Sequence, residues 1–150
     1  MAIEYQLKFA PGVKPSVLAG WLRTAGFADT GSPATFTAPG LTATIGGARD
    51  IAGRWAPLGF EPHVEILFVQ DKFAPYADAV ARLVKTVALL LREVPGDVAL
   101  ARDDETVLAL RSRGDLVLTN RDDWWIRPTF APSLAERLDE SYRLEPLPII

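Results

Sequence analysis

HVEILFVQ at residues 63–70, followed across the linker DKFAP (71–75) by YADAVARLVKTVALLL (76–91), is the stretch on which the fold turns. The first piece begins as an alternation of apolar and polar side chains and becomes apolar on both faces, as a central strand covered by a helix does. In the second, Tyr76, Val80, Leu83, Val84, Val87, Leu90 and Leu91 recur at spacings of three and four, with Asp78, Arg82, Lys85 and Arg92 mostly opposite, until Pro95-Gly96 ends the run. That spacing predicts an amphipathic helix. Burying each of these side chains is worth about 1.5–3 kcal/mol, against about 1–2 kcal/mol for ordering each backbone residue, so the helix requires a sheet beneath it.

Upstream, Ile3 to Phe9 alternates as a half-buried strand does. Pro15, Val17, Leu18, Trp21, Leu22 and Ala25 give a short helix stopped at Gly26. Ala34 to Ala38 and Leu41 to Ile45 flank Pro39-Gly40 as a hairpin. Residues 46–62 carry too many glycines and prolines for regular structure and read as a connecting loop, with at most one helical turn. Downstream, Asp97 to Ala101, Thr106 to Ser112 and Asp115 to Thr119 are extended runs separated by Arg102-Asp103-Asp104-Glu105 and Arg113-Gly114. Residues 120–150 form a tail with a short helix from Ser133 to Glu140 and an extended Pro146-Leu147-Pro148 end. The expected class is α+β, a mostly antiparallel sheet against two helices. One domain spans 1–150, with a duplicated βαββ plan as pseudo-repeats 1–46 and 63–119.

The chain has no cysteine and one histidine, which excludes disulfides, thiol nucleophiles and thiolate or multi-histidine metal centres. No cofactor or metal is expected. Sixteen basic against nineteen acidic residues give a net charge of −3, the wrong sign for nucleic-acid or anionic-membrane binding and the right one for a basic partner. Residues 1–75 carry six of each sign, so the excess acid lies wholly in the second half. The start lacks a signal-peptide pattern and no apolar run approaches the roughly 20 residues of a membrane helix, so a cytoplasmic location is expected.

His63 and Glu65 share a strand face, the spacing of a base with an orienting carboxylate, but no nucleophile motif accompanies them and a surface or core histidine explains the pattern better. Gly46-Gly47-Ala48-Arg49 lacks both the Walker lysine and a G-x-G-x-x-G pattern, and reads as a loop. Asp103, Asp104 and Glu105 on a hairpin tip, and Asp122 and Asp123 before Trp124-Trp125, are the candidate partner-binding residues. They have no calcium-loop spacing; the plain reading is a solvated turn, the sharper one an acidic patch that steers a basic partner. Core packing is the default reading for the Trp124-Trp125 pair; since neighbours in an extended chain point to opposite faces, the sharper reading puts one into the core and one outward as an interface anchor.

With MAIEYQL at the start, Leu58-Gly59-Phe60-Glu61-Pro62 before Val64 to Lys72, the Val80 to Val94 helix ending at Pro95-Gly96-Asp97, and Arg113 to Asn120 with tryptophan soon after, the chain resembles the SitI-type immunity proteins. The likeness covers the first residues and most of the chain after Leu58, including the Pro-Leu-Pro tail, and little between Val13 and Pro57. It implies a cytoplasmic immunity protein that binds a cognate toxin protein stoichiometrically, with no catalytic residue of its own. The tip Arg102-Asp103-Asp104-Glu105 departs from the Asn-Gly turn such relatives lead one to expect. Two rival readings stand beside it. One is a small-molecule domain with an aromatic groove of Trp21, Tyr76 and Trp124; the other is a hydrolase built on His63.

Overall fold

The computed structural model describes residues 3–48, 55–125 and 141–149. Along the chain run β1 (Glu4–Phe9), α1 (Pro15–Thr24), β2 (Ala28–Asp29), β3 (Thr35–Ala38), β4 (Leu41–Gly47), β5 (Val64–Gln70) and α2 (Tyr76–Glu93). Then come β6 (Val98–Arg102), β7 (Thr106–Ser112), β8 (Asp115–Thr119) and β9 (Tyr142–Glu145), with 3₁₀ turns at Ala56–Leu58 and Arg121–Asp123. The fold is α+β. The strands form one sheet in the order β2-β3-β4-β5-β1-β6-β7-β8-β9, antiparallel at every junction except the parallel β8–β9 pair. The helix expected over Ser133 to Glu140 lies outside the described residues.

Residues 4–47 run strand, helix, three strands, and residues 64–119 run the same order before β9 is added. Sheet position does not repeat: β4, the last strand of the first run, lies next to β5, whereas β6, the first strand after α2, lies next to β1. The two leading strands, β1 and β5, pair at the centre of the sheet.

Period-two alternation sorts their side chains. Tyr5, Leu7 and Phe9 of β1 and Val64, Ile66 and Phe68 of β5 enter the core under the helices, with Leu18 and Leu22 of α1 and Val80, Leu83, Val84, Val87, Leu90 and Leu91 of α2. Tyr76 departs from the expected apolar stripe and is 39% exposed, because it opens the helix at the sheet's end. The C-terminal carbonyls of α2, which have no partner within the helix, are met by the buried Arg111 of β7. Its guanidinium donates to Leu91 O at 2.6 Å, to Gly96 O at 2.8 Å and to Val94 O.

The other sheet face has its own small core. Trp55, Leu58 and Leu147 pack there on Ala99, Ala101, Val107 and Val117. A register shift after Leu100 pairs Leu100 with Ala109 but Ala101 with Val107, so Leu108 is the extra residue of a bulge. The bulge lets Leu108 and Ala109 both face the helix-side core while Val107 faces the smaller one.

Candidate partner-binding site

Strand direction brings the candidate acids together. β1 begins, and β5, β6 and β8 end, at one end of the sheet, where β7 also begins. Glu4 therefore lies beside the 102–105 turn, Asp71 leaves β5 at the same end, and Asp122 and Asp123 follow the exit of β8. Lys72, Arg102 and Arg121 stand at this end as well. The N-terminus of α2 and the Pro39-Gly40 turn share this end.

The three acids of the 102–105 turn play different parts. Glu105 is exposed, and its backbone N–H donates to Arg102 O at 3.1 Å. Asp103 and Asp104 both have positive φ, 52° and 53°, the pattern of a type I′ hairpin turn, which aspartate tolerates better than most residues. Asp103 Oδ1 accepts the Glu4 N–H at 3.0 Å, and the Asp103 N–H donates to Glu4 O at 2.8 Å. Asp104 points inward: its N–H donates to Gln6 Oε1 at 2.8 Å, and its carboxylate lies 3.2 Å from Lys8 Nζ.

Lys8 is fully buried on the face opposite the helices. Its ammonium also meets Glu65 Oε2 at 2.9 Å and stands 4.3 Å from the centroid of the Trp55 ring. A cation removed from water needs such compensation, and two carboxylates plus an aromatic face supply it. Nothing local in the sequence announces this cluster: Lys8 sits in the polar register of an alternating strand, and its partners lie 57 and 96 residues away.

The core reading of the tryptophan pair holds, and the sharper expectation of one exposed tryptophan is corrected. Trp124 and Trp125 are both buried, at 2% and 3% exposure. The chain is not extended there. It runs through the 3₁₀ turn, with Asp122 at φ 55° and Trp124 at φ −56°, ψ −40°, so adjacent side chains do not point to opposite faces. The indoles make an edge-on pair 4.4 Å apart; Trp124 packs against Tyr5, and Trp125 Nε1 donates to Leu108 O at 2.6 Å. Burial pushes the Tyr5 hydroxyl's pKa far above the ordinary tyrosine value, with neighbouring Tyr76 adding to the rise.

Exposed aromatic surface lies elsewhere at this end. Phe73, in the β5–α2 linker, is 86% exposed, and Tyr76 stands three residues on. Between this linker and the Pro39-Gly40 turn is a cleft of about 410 Å³, bounded also by Asp78, Arg82 and Lys85. A second cleft of about 560 Å³ lies between the Pro11–Lys14 segment and the end of α2. Neither cleft is lined by Trp21, Tyr76 or Trp124.

His63 is exposed at the opposite end of the sheet from the acids, and Glu65, its expected orienting carboxylate, is held by Lys8. Gly46, Gly47 and Ala48 are at that far end too, with Ala48 N–H donating to His63 O; Arg49 lies outside the described residues. Among the described residues no group of three or more His, Asp or Glu is placed to hold a metal ion, and no helix is long and apolar enough to cross a membrane.

A family model described as SitI3-like matches residues 3–129. This chain belongs to the SitI3-like family. The match is wider than the resemblance read from the sequence, because it takes in the Val13–Pro57 region, and it stops before the Pro146-Leu147-Pro148 tail. The SitI3-like region thus contains β1 to β8, both helices and every candidate acid and tryptophan, while β9 lies beyond it. No curated protein and no solved structure matches the chain.

Proposed function

We propose that this protein is a cytoplasmic immunity protein that neutralises a cognate bacterial toxin by stoichiometric binding through the acidic end of its sheet. One observation carries the reading: in a SitI3-like chain, carboxylates from separate segments converge on one end of a single rigid sheet. An inhibitor of this kind needs no reacting group. It needs a surface that does not rearrange and a potential complementary to its target. Asp103, Glu105 and Asp122 are the residues offered to a basic toxin surface. Asp104, Trp124 and Trp125 act from beneath, the first by pinning the turn to Lys8 and the pair by filling the core under it. Nucleic acid and membrane are not partners in this reading.

The test is co-expression with the product of the gene directly upstream, taken as the candidate toxin, together with light scattering on the purified pair. Protection of the cells and a one-to-one complex are the expected results. Cells killed despite folded protein, or two proteins that migrate independently, overturn the proposal.

A further inference from the structure

Phe73 is the most exposed large apolar side chain among the described residues, and it is held rather than loose. Its N–H donates to Asp71 Oδ1 at 2.9 Å, Ala74 N–H donates to Asp71 O at 3.1 Å, and Asp71 N–H donates to Gly40 O at 2.9 Å. The packing role open to a residue of this linker is filled by Ala74. A Cβ added at Gly40 would stand 3.3 Å from Ala79 Cβ and 3.4 Å from Ala74 Cβ, so turn, linker and helix already meet there closely. Phe73 projects past that contact, with Lys72 Nζ 5.0 Å from its ring centroid.

Its surroundings define what it fits. Asp71 and Asp78 flank the linker and are exposed. Across the sheet end, β5 pairs with β1 and β1 with β6, so this linker and the acidic 102–105 turn leave the same end of the sheet two strands apart. The 410 Å³ cleft opens on the linker's other side. An exposed aromatic ring on a hydrogen-bonded linker, with Asp71 and Asp78 exposed in the same segment and Lys72 at its face, has the anatomy of an interface anchor with a polar rim.

We infer that Phe73 is the central apolar anchor of the toxin contact, entering a pocket on the toxin rimmed by lysine or arginine, while the adjacent cleft receives a side chain in return. This rests on the toxin-binding reading above. A second copy of this chain is the poorer occupant, because a two-fold contact would bring acidic end against acidic end.

The experiment is calorimetric titration, into wild-type protein, Phe73→Ser, Phe73→Trp and Val17→Ser, of the toxin that the wild-type protein neutralises in co-expression, each variant first checked for an unchanged thermal midpoint. Val17 is an exposed apolar residue at the start of α1, away from the acids. Phe73→Ser should weaken Kd about 30-fold or more, the size of a hot-spot truncation, with Phe73→Trp and Val17→Ser within about threefold of wild type. Tight wild-type binding that Phe73→Ser leaves unchanged overturns the anchor and spares the toxin reading. Absence of wild-type binding removes both. A wild-type dimer that Phe73→Ser converts to monomer on light scattering overturns the inference in favour of a second copy.

Discussion

Lys8 shows how far a single residue departs from its local pattern. Alternation in Glu4-Tyr5-Gln6-Leu7-Lys8-Phe9 assigns it to the wet face, yet β1 is central and that face is roofed by Trp55, so the ammonium is buried between Glu65 and Asp104. Removing one member of such a cluster leaves a buried charge uncompensated. Lys8→Ala should therefore cost about 3–5 kcal/mol in urea unfolding. Lys8→Met with Glu65→Leu should recover most of that, since Asp104, with its side chain 29% exposed, can still be hydrated. A Lys8→Ala loss below about 1 kcal/mol, or a double variant no better than the single, would count against a compensated buried charge at this position. The Trp124-Trp125 pair carries the same lesson: the period-two rule fails where Asp122 takes a positive φ and the chain turns.

At the scale of elements, turn chemistry located the hairpins but not their quality. The β7–β8 connection is a two-residue turn, with Ser112 opposite Asp115, Arg113 at φ 53° and Gly114 at φ 84°. Glycine accepts that conformation freely, whereas arginine does not, and asparagine is the residue best suited to the first position. Arg113→Asn keeps the backbone N–H donated to Asp97 and should stabilise by about 0.5–1 kcal/mol, raising Tm by about 1–4 °C. A lowered midpoint in differential scanning calorimetry would mean that the arginine side chain contributes more than its backbone strain costs. The 102–105 turn does without asparagine or glycine for a reason visible only in three dimensions: Asp103 and Asp104 bind Glu4 and Lys8. Likewise the expected helix over 76–91 forms, but its end at Glu93 is secured by Arg111 from a strand eighteen residues further on.

For the whole molecule, the charge that composition reports as −3 becomes directional because strands from both halves end at one place. Raising ionic strength from about 0.01 to 0.15 M shortens the screening length from about 30 to 8 Å, so association with a basic toxin should slow by about tenfold or more. Asp103→Asn, Glu105→Gln and Asp122→Asn combined, with Asp104 left on Lys8, should bind more slowly at low salt and with a flatter salt dependence in stopped flow. Identical slopes for variant and wild type would place the steering charge elsewhere. Periodicity and turn chemistry, which are properties of neighbouring residues, sufficed for the α+β class, for seven of the eight strands between Ile3 and Thr119, for both helices and for the hairpin positions, while the two-residue β2 carries no pattern to read. Only the tertiary structure decided which strands adjoin, which carboxylates are spent on Lys8, that both tryptophans lie inside, and that Phe73 stands outside. Those outcomes depend on contacts between residues tens of positions apart, and burial is fixed by what covers a face rather than by the pattern along it.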